Sequence, residues 1–159
     1  MSTQITRKEF LEYVRAFNAH DFDKQYSYYD DDVILDLPDP QTGKLRGKKG
    51  IMAHYAPLFE VAEEVLVPMH LAVDGDNIFY VMESYFCYNK KLDHGVFGYP
   101  VEPGDIIKIR VWAHYQIKNK KMYYITCNLF QKWFLGKVSL KEAVAESRTR
   151  ADDEFKSFT

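Results

Sequence analysis

Residues 107–125, IKIRVWAHYQIKNKKMYYI, decide the fold of this chain. Read in alternation, Ile107, Ile109, Val111, Ala113, Tyr115 and Ile117 point to one side of a strand. Lys108, Arg110, Trp112, His114 and Gln116 point to the other. The first row is an ordinary core face. The second mixes an aromatic, an imidazole and an amide, and alternation leaves three surroundings open to it: water, a partner subunit or a cavity. The KNKK that follows is a tight hairpin signal, so a second long strand, KMYYITCNLFQKWF, returns beside the first.

Working outward, VLVPMHLAV and IFYVMESYFCY also alternate and are joined by the turn DGDN. A loop, NKKLDHGVFGYPVEPGD, leads from them into the 107–125 stretch. Upstream the period is helical. TRKEFLEYVRAFNAHDF reads as a helix that opens with a capping box, Thr6 with Glu9, and repeats Phe10, Tyr13, Val14 and Phe17 at helical spacing. DFDKQYSYYDDD reads as a shorter helix, VILDLPDP as a short strand, QTGKLRG as a loop and KKGIMAHYAPLFEVAEE as a third helix, which Pro57 should kink or break. The tail, 139–158, reads as one charged helix capped by Ser139 and Glu142. Runs of helices followed by runs of strands predict an α+β fold, with helices on one face of a curved antiparallel sheet enclosing an apolar cone.

The length of 159 residues predicts a single domain with its own core. Aromatic residues make up 16% of the chain, with twelve Tyr and eleven Phe, which suits a sheet-rich fold, an interface or an apolar cavity. A net charge of −2 and a pI near 6.2 argue against nucleic acid as a partner. Cys87 and Cys127 sit in strand-like segments and read as free thiols. With no apolar leader and no membrane-length run, a soluble cytoplasmic protein without membrane contact is expected. The five histidines lack paired helical spacing, so no metal is expected, and no Gly-rich phosphate loop points to a nucleotide cofactor.

The segments AHDFDKQYSYYDDDVILDLPD, GKKGIMAHYAPLF, VDGDNIFYVMESY, GVFGYPVEPGDIIKI and HYQIKNKKMYYI, in that order, resemble the SnoaL-like polyketide cyclases of the nuclear transport factor 2-like superfamily. The resemblance spans residues 6–135. It implies a cone-shaped fold of three N-terminal helices on a curved antiparallel sheet, here with an extra C-terminal helix. It also implies cofactor-independent isomerisation or cyclisation of a polyketide- or terpenoid-derived intermediate. The chain departs from the family at TCNLF, where many members carry a pocket Asp and this sequence offers Asn128. In layout the chain also resembles scytalone dehydratases, through His70, His114, Asn128, Tyr26 or Tyr29, and a tail over the cavity mouth. Dehydration is therefore an alternative; epoxide hydrolysis is another, invited by Asp36, Glu83 and Arg110 as an Arg paired with two carboxylates to activate water, and a non-catalytic binding or dimerisation module of the same fold is a third.

Chemistry in such a pocket needs a proton carrier and a group to steady an oxyanion. His114 and His70 are the candidate carriers, each with a structural alternative: an outer-face or interface row for His114, a hydrogen-bonded structural role for His70. Glu83, a carboxylate among bulky apolar residues, is either a general base or the partner of Arg110. Asp36 is the lone polar residue inside the first strand, able to orient a His or sit at an exposed edge. Tyr55 and Asn128 are candidate oxygen binders, while Trp112, Tyr26, Tyr29 and Arg110 would shape the substrate site. A small molecule is the expected ligand and a homodimer the expected assembly.

Overall fold

The computed structural model describes residues 2–159. Two helices, α1 (Arg7–Asn18) and α2 (Phe22–Ser27), precede strand β1 (Tyr29–Asp36) and a three-residue strand β2 (Lys44–Arg46). Helix α3 (Gly47–Val61) then leads without a loop into β3 (Ala62–Asp74). Strands β4 (Asn77–Tyr88), β5 (Ile106–Lys118) and β6 (Lys121–Gly136) follow, then helix α4 (Leu140–Thr149) and a single 3-10 turn, Asp153–Phe155. The strands form one sheet in the order β2-β1-β6-β5-β4-β3.

Local signals account for most of these elements. The Thr6 hydroxyl accepts the Glu9 N–H at 3.2 Å and Ser139 accepts that of Glu142 at 3.2 Å, so both predicted N-caps form. Asn119 and Lys120 take φ values of 52° and 60°, the paired positive values of a tight hairpin turn between β5 and β6. Gly75, at φ 58°, turns β3 into β4.

Four expectations are corrected. The sheet is not wholly antiparallel: β1 runs parallel to β6, because α3 and β3–β5 intervene before the chain returns beside β1. QTGKLRG is not all loop, since Lys44–Arg46 pairs with β1 as a short edge strand. Pro57 lies inside α3 without ending it, and the helix runs on to Val61. The terminal helix stops at Thr149. There the chain turns, the Asp152 N–H bonds the Met69 carbonyl at 3.0 Å, and Phe155 and Phe158 pack beneath Arg7 and Arg15 of α1. The tail thereby wraps the β3 edge of the sheet and does not cross the cavity mouth.

Helices α1–α3 cover the inner face of the sheet and α4 lies on the outer face. The two ends of the inner face differ. Toward the β5–β6 turn, Phe10 of α1 packs edge-on against Tyr80 and Tyr115, both at 5.0 Å, and Tyr13 joins them, so this end is solid. Toward the opposite end the helices diverge from the sheet and leave a hollow. Among the described residues, no helix is long and apolar enough to cross a membrane.

Candidate functional site

The hollow has a volume of about 440 Å³, within the usual range for small-molecule sites. Its floor is hydrocarbon: Met82 and Phe86 from β4, Ile109 and Val111 from β5, Leu129 from β6 and Leu58 from α3. The mouth is formed by the turn after β1, including Asp39 and Thr42, and by Val96–Gly98 of the loop between β4 and β5. Phe97 of that loop rests edge-on against Phe86, with ring centroids 4.9 Å apart. A second depression of about 320 Å³ lies between α4 and β6 on the outer face. Its Tyr85 and Glu146 groups are already bound to Ser147 and Arg150, so the chemistry centres on the inner cavity.

Inside that cavity stands one carboxylate, Glu64, only 5% exposed. The Ser84 hydroxyl donates to its Oε1 at 2.7 Å, and its Oε2 is buried with no partner. Burial outweighs the Ser84 bond and pushes the Glu64 carboxyl up to about 7. A carboxyl that exchanges its proton near neutrality, with a free oxygen in an apolar chamber, is equipped for general acid–base work. Its neighbours are donors of weak acidity. Burial, and then the nearby Glu64 charge, hold the Tyr55 phenol well above its ordinary range and lift the Cys127 thiol to about 12. Tyr55 is therefore a hydrogen-bond donor and Cys127 an unreactive thiol. His54, also in the wall, is pushed down by burial, partly offset by Asp39, and favours the neutral imidazole. Asp39 itself is kept low by the Thr42 hydroxyl and the Gln41 N–H. Among the described residues, no cluster of three His, Cys, Asp or Glu side chains could hold a metal ion.

Of the ten site residues expected from sequence, the structure brings only Tyr55 to the cavity wall. His114, Trp112, Arg110 and Asn128 lie on the outer face, because β5 pairs with β4 without a break from Asn77–Gln116 to Cys87–Ile106 and keeps its apolar row inward. There His114 Nε2 meets Asn77 Oδ1 at 2.8 Å and its ring stacks on Phe79, while Trp112 stacks on Phe130. Glu83 is also on the outer face, under α4, and pairs with Arg110 at 2.9 Å, the structural alternative recognised in the sequence. His70 would share the inward parity of Leu66 and Pro68, but a bulge at Met69 turns it outward to Asp152, at 2.9 Å. Asp36 accepts the Tyr124 phenol at 2.7 Å at the outer side of β1. Tyr29 is sealed in the core, bonded to the Tyr13 hydroxyl at 2.8 Å, and Tyr26 packs against it. Sequence reading passed over Glu64 at the boundary between helix and strand. The available signal was its parity with Leu66, which places a carboxylate on the inward row.

Fold and site together define a small cone-shaped α+β pocket protein with a single buried carboxylate facing an apolar chamber. The chain belongs to the SnoaL-like domain family, whose model matches residues 10–125. Its structural neighbours include nuclear transport factor 2-like proteins, proposed polyketide cyclases and an epoxide hydrolase. One is a proposed polyketide cyclase from Pseudomonas putida, with a TM-score of 0.63 and 20% identity over 96% of this chain and 99% of that one. Another is a proposed polyketide cyclase from Xanthomonas campestris, with a TM-score of 0.62 and 18% identity over 85% and 90%. An epoxide hydrolase from M. tuberculosis aligns with a TM-score of 0.57 and 9% identity over 74% and 76%. No curated protein matches the sequence.

Proposed function

We propose that this protein is a cofactor-independent isomerase or cyclase acting by proton transfer next to a carbonyl, on a polyketide- or terpenoid-derived intermediate. The observation that carries the reading is the unpartnered Oε2 of Glu64, buried in an apolar cavity with its carboxyl near 7. The ionised carboxylate removes a proton from the carbon beside the substrate carbonyl. The electron pair moves into the carbonyl, and the Tyr55 phenol donates a hydrogen bond to the oxyanion that forms. The proton now on Glu64 returns at a second carbon to complete an isomerisation. In a cyclisation the enolate carbon instead attacks a second carbonyl within the same molecule, and the new alkoxide takes the proton. The apolar walls raise the electrostatic worth of both contacts. The carboxylate–arginine arrangement expected of an epoxide hydrolase occurs here as Glu83–Arg110, outside the cavity, so hydrolysis is less well supported.

Deuterium exchange into 2-tetralone, an enolisable aromatic ketone, tests this reading by NMR. The protein should accelerate exchange at the carbon next to the carbonyl, and Glu64→Gln should abolish the acceleration. Equal exchange rates with both proteins would sink the proposal.

For the expected homodimer, the exposed Phe79, Trp112 and Phe130 of the outer face supply apolar surface. Their uncharged neighbours Asn77, Gln116 and Asn128 allow two copies to meet without like-charge repulsion. His114→Ala and Trp112→Glu should accordingly leave the exchange activity within about twofold of the parent, since neither touches the cavity. Trp112→Glu should lower the sedimentation coefficient to that of a monomer, and an unchanged coefficient would argue against this face as the contact.

A further inference from the structure

We infer that the cavity mouth contains a subsite for one ionised oxygen group, a carboxylate or phenolate, on an otherwise apolar ring compound, with Lys132 as its cation. The inference names the class of substrate for the acid–base reading and rests on that reading only in calling the ligand a substrate.

The first observation is backbone geometry. Along β6, Cys127 and Leu129 face the cavity, and regular alternation would send Lys132 to the outer face. A bulge at Phe130 intervenes: Leu129 pairs with Val111, whereas Gln131 pairs with Arg110 and Lys132 with Ile109. The inserted residue reverses parity, so Lys132 joins the inward row while Phe130 is left exposed on the outside. Bulges commonly re-aim side chains beside functional sites.

The second observation is charge. Lys132 lines the cavity and forms no ion pair among the described residues. Its Nζ donates to the Phe97 carbonyl at 2.8 Å and lies 5.3 Å from the centre of the Tyr99 ring. These contacts hold the exposed ammonium at the mouth and leave donors unused, since it carries three. The other charged group at the mouth, Asp39, accepts the Gln41 N–H at 2.9 Å and the Thr42 hydroxyl at 2.7 Å. Asp39 is thus held as an anion by the donors of its own turn and forms no ion pair with Lys132, which keeps its charge for a ligand.

The third observation is spacing. Glu64 pairs with Phe86 and Phe86 with Ile107, while Lys132 pairs with Ile109, so the two groups stand three strands apart and two residues, about 7 Å, offset along the strands. Three strand spacings are about 14 Å across a flat sheet, and the curl of this sheet shortens that. Hydrocarbon from Met82, Phe86, Ile109 and Phe97 lines the interval. A fused-ring compound with its acidic oxygen at Lys132 would therefore present its far ring to Glu64.

Calorimetric titration with 2-naphthoate and with methyl 2-naphthoate at about pH 6, where Glu64 holds its proton, tests the subsite. The parent should bind the acid about tenfold more tightly than the ester. Lys132→Met should bind the ester as before and lose the preference, and Lys132→Arg should retain it. A phenolate-specific site would show the preference for 2,4-dinitro-1-naphthol, whose nitro groups keep it ionised at this pH, over its methyl ether and not for naphthoate, which still supports an oxyanion subsite at Lys132. An acid-to-ester ratio unchanged in Lys132→Met, or no saturable binding of any of these ligands, overturns the inference. Glu64→Gln should abolish deuterium exchange yet preserve the acid preference, so either proposal can fail alone.

Discussion

Glu64→Gln should reduce proton-transfer activity by a factor of about 10²–10⁴ while making the protein more stable above neutral pH. The amide keeps the shape of the side chain and can still accept the Ser84 hydroxyl, but it cannot take a proton. The stability effect follows from the raised carboxyl, about 7 against an ordinary 4.5. Below about 4.5 the group is neutral in folded and unfolded chains alike and costs nothing. As pH rises from there, the unfolded chain releases its proton first, and the native state is progressively disfavoured until about 7. Beyond that pH the penalty is constant, on the order of 3 kcal/mol. Urea unfolding across this range should show the parent losing stability relative to Glu64→Gln between about pH 4.5 and 7. Parallel curves would mean that the carboxyl is not held up by burial, and the site would lose its proton carrier. The activity of the parent should rise with pH to a half-maximum near 7, as the native carboxylate forms.

The largest loss of stability is expected at Glu83. This carboxylate is 1% exposed and sits beneath α4, where Arg110 reaches it at 2.9 Å, Lys108 at 3.3 Å and Arg150 at 2.5 Å. Ser147 donates to it at 2.6 Å and in turn meets the Tyr85 hydroxyl. Burial alone would raise its carboxyl, but the Arg150 and Ser147 bonds and the Lys108 charge prevail and hold it near about 2. Glu83→Ala leaves three cations gathered around an apolar gap. It should cost about 3–5 kcal/mol, which for a chain of this size lowers Tm by on the order of 10 °C. Thermal unfolding at neutral pH measures it, and a shift of only 1–2 °C would show that α4 is held by packing alone. The stabilisation is fully present above about 4.5 and is lost as pH falls toward 2, opposite in sign to the effect of Glu64. One carboxylate thus strengthens the fold because cations surround it, and the other weakens it because its cavity offers only a hydroxyl.

Much of the fold was legible because it is local. Capping at Thr6 and Ser139, the turns at Gly75 and at Asn119–Lys120, and the alternation of β4 and β5 depend on residues within a few positions of one another. The parallel contact of β1 with β6 was hidden because it joins segments some ninety residues apart, with no local signature at either end. The pairing of Glu83 with Arg110 could be anticipated as an alternative because both stood in long alternating strands, although Arg150, which completes the cluster, caps the end of a helix whose packing only the fold establishes.

By itself the sequence determined which residues alternate, which turns close the hairpins and that the helices precede a large sheet, since these follow from side-chain period and backbone preference. Tertiary structure decided which side chains enter the cavity. Two bulges made that choice: one at Met69 turned His70 out, and one at Phe130 brought Lys132 in. A bulge is set by how two strands fit against each other and against the core. Because strand parity has a period of two, a single inserted residue reverses every facing beyond it.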